Sequence, residues 1–303
     1  MRQLVVLSGK GGTGKTTITA ALAHLASRET SLVLADADVD AANLELLLSP
    51  TRKEQHTFMA GQLAVIDKVL CTGCGTCEAV CRFDAVHPPE EPGEIVFHVD
   101  ASACEGCAAC HHQCPEDAIR MEPRRSGLWF RSETRFGPLF HAHVFAGQEN
   151  SGKLVTLVKQ HARDLARRTG RELVLVDGPP GIGCPVIAAV SGADLALMVA
   201  EPSVSGIHDL GRALAAARRF RVPSLVVINK ADLNSQAAGT LEEMCEAQGV
   251  EVVGRVPYDP IVTEAMIHGE PVTVYAEGTM GKILRQVWKK TRTRLLEAEV
   301  VPA

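Results

Sequence analysis

Aromatic side chains are scarce, at 4% of the 303 residues, although hydrophobic residues make up 46%. A core must therefore come mainly from Val, Leu, Ile and Ala, and the length suits one or two domains. Long apolar runs are also lacking. None approaches the roughly 18 residues a membrane helix needs, so no stable membrane insertion is expected. The N-terminus, Met1-Arg2-Gln3-Leu4, enters a strand pattern at once and lacks the layout of a signal peptide. A cytoplasmic location is expected. Neither sign of charge dominates: 31 Lys and Arg stand against 36 Asp and Glu, for a net −5. No nucleic-acid partner is expected from such a balance.

Cysteine is almost missing outside one block. Eight of the ten fall between Cys71 and Cys114, and only Cys184 and Cys245 lie elsewhere. In a chain read as cytosolic, that clustering points to metal or redox chemistry rather than disulfides.

What is present has an α/β rhythm. Residues 3–8 read as a buried parallel strand, 16–26 as a helix, and 31–35 as a second strand ending in Asp36. The rhythm stops near Gly61. It resumes after two strands joined at Gly137-Pro138, with strands at 172–176, 194–199, 224–228 and 250–256. Helical stretches lie between them, at about 150–168, 184–191, 205–219 and 236–247, and an amphipathic helix spans about 280–297. The expected architecture is an α/β domain, a mostly parallel twisted sheet with helices on both faces, made of residues 1–60 and 123–303. A small α+β insert occupies 61–122.

The insert repeats itself. Cys71, Cys74, Cys77 and Cys81 recur 33 positions later as Cys104, Cys107, Cys110 and Cys114, and Gly73, Asp84 and Ala85 recur as Gly106, Asp117 and Ala118. This reads as a duplicated half-domain with a pseudo-twofold axis.

Residues Gly9 to Thr16 fit G-x4-G-K-[ST] between a strand and a helix, the setting a phosphate loop requires. Glycines let backbone N–H groups turn toward phosphate oxygens, and the helix N-terminus favours an anion. In such a loop Lys15 bridges the β- and γ-phosphates and the Thr16 hydroxyl binds Mg²⁺.

The run Lys10-Gly11-Gly12-Thr13-Gly14-Lys15-Thr16-Thr17 resembles the deviant phosphate loop of the MinD/ParA superfamily, which includes nitrogenase iron protein and the Mrp-type cluster carriers. Asp36-Ala37-Asp38, Leu173 to Gly181, Asn229 to Asp232 and Val256 to Asp259 follow in the family's order. The resemblance covers nearly all of the chain outside the insert. It implies an ATPase using ATP/ADP and Mg²⁺, and an ATP-dependent homodimer in which Lys10 reaches the partner's nucleotide. By the same resemblance Asp38 positions the attacking water, with Asp36 as a companion or merely a cap. Asp177 holds Mg²⁺, Gly178 and Gly181 let the backbone move on phosphate loss, and Asn229, Pro257 and Asp259 bind adenine.

The two C-x2-C-x2-C-x3-C runs resemble those of bacterial two-cluster ferredoxins, where the fourth cysteine serves the other cluster. One 4Fe–4S cluster would then use Cys71, Cys74, Cys77 and Cys114, and the other Cys104, Cys107, Cys110 and Cys81. A zinc ribbon needs pairs of cysteines rather than two quartets. Arg82 follows Cys81 where Pro115 follows Cys114, so the two surroundings are expected to differ.

Other features carry less. Cys184 reads as a thiol near a helix start or a small packed residue, and Cys245 as structural. His141 and His143 share one face of a strand, as metal ligands or as ordinary packing. His111 and His112 adjoin Cys110. Glu149 to Lys153 reads as a helix start, with Asn150 or Ser151 as its cap. Ile283, Leu284, Val287 and Trp288 read as a face packed on the sheet.

Three tasks fit these sites. The first is ATP-driven electron transfer to a redox or iron–sulfur protein partner. The second is assembly or carriage of clusters, weakened because no cysteine follows Cys245. The third is a MinD/ParA-like positioning ATPase that senses redox state.

Overall fold

The structure is a computed structural model that describes residues 1–145 and 151–298. It divides into two compact units. The first takes in Met1–His56, Trp129–His143 and the chain from Ser151; the second takes in Thr57–Leu128 and the stretch beginning at Val144. The division therefore falls before residue 60 and after residue 123, inside two long strands.

The first unit opens with β1 (Arg2–Ser8), α1 (Lys15–Ser27), β2 (Leu32–Asp36) and α2 (Leu44–Leu48). Strand β3 (Thr51–Ile66) runs on into the second unit, which holds α3 (Thr76–Ala79), β4 (Val86–His87), β5 (His98–Val99) and α4 (Ala109–Gln113). Strand β6 (Ile119–Thr134) leads back, and β7 (Gly137–Val144) follows after a two-residue turn. Then come α5 (Ser151–Thr169), β8 (Leu173–Pro180), α6 (Cys184–Val190), β9 (Leu195–Ala200), α7 (Val204–Arg219), β10 (Ser224–Asn229) and α8 (Ser235–Ala247). The last elements are β11 (Glu251–Val256), α9 (Ile261–Ile267), α10 (Val272–Tyr275) and α11 (Thr279–Glu297). The helix start read at Glu149 and Asn150 lies outside the described residues; α5 begins at Ser151.

The strands form one sheet in the order β11-β10-β9-β1-β8-β2-β7-β6-β3. The seven strands from β11 to β7 pair in parallel. This is the α/β fold of P-loop NTPases. In β1 every residue from Leu4 to Leu7 is fully buried, because a parallel sheet covered on both faces leaves neither side to water. Leu4 and Val6 join one core with Leu34, Leu175 and Leu197, while α5, α6 and α7 pack against β2, β8 and β9. Helix α11 buries Leu284, Val287 and Trp288 in the first of these cores, with Ile283 beside them. The packed face expected of this helix is therefore used inside the fold.

Lys159 of α5 is buried, and its Nζ donates to the carbonyls of Ala188, Ala189 and Ser191 at 2.6, 2.5 and 2.8 Å. These are the carbonyls that the end of α6 leaves without intrahelical partners. Lys159→Met keeps the bulk and removes all three donors. It is expected to cost about 2–4 kcal/mol, read as a lowered midpoint in denaturant melts. A loss under about 0.5 kcal/mol would mean that solvent replaces the ammonium there.

The second unit carries the 33-residue repeat into its backbone. Gly73 and Gly106 have φ of 72° and 65°, Gly75 and Ala108 have 76° and 62°, and Asp84 and Asp117 have 48° and 49°. A Cβ on Gly106 would collide with the Gln62 carbonyl, which explains glycine there. The hydrogen bonds repeat as well. Cys71 N–H donates to Asp67 O and Cys104 N–H to Asp100 O, while the thiols of Cys81 and Cys114 accept from Ala85 and Ala118 N–H at 3.4 and 3.3 Å. Ala64, Cys77, Ala85, Val86, Cys104 and Ile119 form this unit's core.

Candidate functional site

Strand β1 delivers a loop whose conformation only glycine tolerates at two points. Gly12 and Gly14 have φ of 78° and 91°, and a Cβ on Gly14 would strike the Asn229 amide. Gly14 precedes α1, and no side chain caps the helix. Its first-turn N–H groups are thus free of side-chain competition for an anion.

Lys15 opens α1 and is only 6% exposed. Its Nζ lies 3.1 Å from Asp38 Oδ2 and 3.3 Å from Asp177 Oδ1. Thr16 Oγ1 donates to Asp177 Oδ2 at 2.7 Å, and Thr19 Oγ1 to Asp177 Oδ1 at 2.9 Å. Strands β2 and β8 place Asp36 and Asp177 side by side. Burial opposes the Lys15 charge, but Asp177, Asp38 and Asp36 outweigh it and hold the ammonium above its ordinary pKa. Burial, then the neighbouring Asp177, raises Asp36 well above the ordinary carboxyl range. Burial also raises Asp38, with Lys15 pulling the other way.

Asp36 holds the backbone that follows it. Its Oδ1 accepts the Asp38 N–H at 3.1 Å and its Oδ2 the Leu44 N–H, the first of α2, at 3.0 Å. At Gly178 a Cβ would press on Leu7 and on the Val6 carbonyl, so packing on β1 requires glycine there. Gly181, at φ 90°, takes a backbone form that suits glycine.

A cleft of about 740 Å³ opens over this loop. Gly11 to Thr17, Asp38, Asn229, Pro257 and Asp259 line it, and it is large enough for a nucleotide. Asn229 Nδ2 donates to the Thr13 carbonyl at 2.7 Å, and Asp259 Oδ1 accepts the Ile261 N–H at the start of α9. Asp177 lies beneath the loop, fully buried. Gly9 lies off the cleft, pressed against Asp209. Lys10 is held elsewhere: its ammonium pairs with Glu201 and lies 3.1 Å from Ser205 Oγ. Glu201 and Lys230 were not singled out from the sequence as site residues. Lys230 Nζ donates to the Gly12 carbonyl at 3.0 Å and lies 3.4 Å from Glu201 Oε2. The Asn229-Lys230 pair that ends β10 was the available signal. Tyr258, inside the Val256 to Asp259 segment, and Met266, from a segment with no motif, also line the cleft.

None of the ten cysteines is in a disulfide. In the second unit, one cavity is lined by Cys71, Cys74, Cys77 and Cys114, with Ile66, Phe97 and Ile119. Another is lined by Cys81, Cys104, Cys107 and Cys110, with Ala64, Phe83 and Val99. Among the described residues, no three of these sulfurs lie within 4.8 Å of one another. Outside this unit, Cys245 is buried and its thiol pushed up to about 11, while Cys184 is exposed. His111 sets a ring nitrogen against the Ile119 carbonyl.

The model of the CobQ/CobB/MinD/ParA nucleotide binding domain matches residues 4–272. An uncharacterized protein of Methanocaldococcus jannaschii is 37% identical over 233 residues, 77% of this chain and 79% of that one. An uncharacterized ATP-binding protein of the same archaeon is 26% identical over 302 residues, 98% of this chain and 90% of that one. Among solved structures, the cell division ATPase MinD of Pyrococcus furiosus superposes with a TM-score of 0.58 at 19% identity, covering 96% of this chain and 98% of its own. The chain belongs to the CobQ/CobB/MinD/ParA nucleotide-binding family and is a P-loop ATPase of the MinD/ParA type. ATP or ADP with Mg²⁺ fits such a site. No helix among the described residues is long and apolar enough to cross a membrane.

Proposed function

We propose that this ATPase closes as a homodimer around ATP and couples that cycle to electron transfer through two 4Fe–4S clusters in a ferredoxin-like insert. The observation that carries the second half is the pair of four-thiol cavities. No three sulfurs among the described residues come within 4.8 Å of one another, whereas ligands of one zinc ion at about 2.3 Å would sit about 3.8 Å apart. The cavities suit a larger inorganic core, with Cys71, Cys74, Cys77 and Cys114 around one and Cys81, Cys104, Cys107 and Cys110 around the other. When bound, such clusters supply one-electron redox chemistry.

In the nucleotide cycle, Lys15 exchanges its carboxylates for the β- and γ-phosphates, which frees Asp38 to orient water. Thr16 and Asp177 hold Mg²⁺, while Asn229, Pro257 and Asp259 receive the base. Lys10 must leave Glu201 of its own chain before it can reach a partner's phosphates. The redox partner is a protein outside this chain, and an acidic cluster-bearing surface suits a basic one.

Two measurements test this. Asp38→Ala is expected to bind ATP and dimerise but to turn over about 10²-fold more slowly, by sizing and phosphate release. Lys10→Ala is expected to stay monomeric with ATP. A dimer that survives Lys10→Ala removes the trans-acting lysine. Redox titrations of the Asp38→Ala protein with no nucleotide, ADP and ATP are expected to differ by tens of mV, 59 mV being about tenfold in equilibrium. Equal potentials and equal partner reduction rates in all three states would end the electron-transfer reading.

A further inference from the structure

His141 and His143 alternate along β7 and so share one of its faces. Glu45, on α2, faces both. Its Oε2 lies 3.2 Å from His141 Nδ1, and its Oε1 lies 3.5 Å from His143 Nε2. The three ligand atoms all fall within 4.8 Å of one another. Ligands at about 2.0–2.1 Å around a tetrahedral ion sit about 3.3 Å apart, so each imidazole lies near that distance from one oxygen of the carboxylate.

The surroundings are organised as well. His141 is 1% exposed, and its Nδ1 has no hydrogen bond of good geometry although it is aimed at the Glu45 carboxylate. Its other nitrogen, Nε2, lies 2.9 Å from the buried Ser132 Oγ. An Nε2–H donating to Ser132 leaves the Nδ1 lone pair pointing inward, the usual support behind a metal-ligating imidazole. The Phe130 ring packs against both imidazoles at 5.0 and 5.6 Å between centroids. Arg52 competes for the carboxylate only from 4.0 Å, and its guanidinium lies over Phe130.

We propose that Glu45, His141 and His143 form a site for a borderline divalent ion of the Zn²⁺ class, distinct from the nucleotide and cysteine sites. Two imidazoles and one carboxylate suit such an ion and leave a position for water. Bound there, it would fasten α2, whose first N–H is held by Asp36, to β7.

Zn²⁺ itself is the probe. Cluster-loaded full-length protein is equilibrated anaerobically with Zn²⁺ and desalted. Zinc, iron and sulfide are then counted, and the zinc shell is read by X-ray absorption. Wild type is expected to retain about one zinc per chain in a nitrogen and oxygen shell at about 2.0–2.1 Å. His143→Ala alters a half-exposed residue and is not expected to disturb folding. It and Glu45→Gln should each retain at least about tenfold less. Ser132→Ala keeps all three ligands and should weaken binding by about 10–100-fold. Equal zinc in wild type and variants, no zinc in wild type, or a sulfur shell near 2.3 Å would overturn the site. The iron and sulfide counts report the cysteine sites separately, so the two readings stand or fall independently.

Discussion

Lys15→Ala is expected to cut ATP turnover by about 10²–10³-fold and to weaken ATP binding in parallel. The reason lies in what the ammonium faces. It is the buried cation between Asp38 and Asp177, with Asp36 beside them. Without it, the phosphates would meet Asp38 and Asp177 with no cation between them. The variant also gains a pH signature. A carboxyl whose folded pKa is raised keeps its proton in the folded state and gives it up on unfolding. Its penalty is therefore absent below the unfolded value of 3.8 and grows as pH rises through the folded one. Removing Lys15 deepens this penalty for Asp36 and Asp38. Thermal melts should show the variant closest to wild type at acid pH and furthest below it at neutral pH. Turnover within about threefold of wild type would remove Lys15 from the chemistry, and a constant melting difference from pH 4 to 8 would remove the carboxylate account.

The second large effect concerns which cysteines act together. Cys71→Ala with Cys114→Ala empties two positions around one cavity and is expected to leave the other cluster intact, at about four Fe per chain rather than about eight. Cys71→Ala with Cys81→Ala removes one position from each cavity and is expected to leave almost no iron. Both pairs remove two thiols, so composition alone cannot separate them. The reverse pattern would mean that each run closes on itself.

Much of this was legible because it depends on short spacing. The phosphate loop needs contiguous residues, and two of its glycines, Gly12 and Gly14, sit where φ is positive. The cysteine runs follow the same logic, three thiols of each run lining one cavity. The limits of the insert were not legible. Residues 51–57 are Thr-Arg-Lys-Glu-Gln-His-Thr, all exposed, and carry no alternation, yet they begin β3. Pairing with β6 holds them extended, as in the stacking of His56 on Trp129 and the Arg131–Glu54 ion pair. Glu201 was hidden for another reason. Its significance is a charge meeting with Lys10, almost two hundred positions away, and no local pattern marks it. Glu45 was hidden in the same way from the two histidines it faces.

The exchange of the fourth cysteine bears on how the insert arose. Each cavity takes three thiols from one copy of the repeat and one from the other. A single copy would therefore have completed neither cavity. A half-length ancestor would have needed two chains, each lending the other a thiol. Two copies in one chain make that association intramolecular, with an effective concentration set by the residues between Cys81 and Cys104 and no dependence on protein concentration. This also fixes the two halves to each other. A deletion that removes one run would take thiols from both cavities.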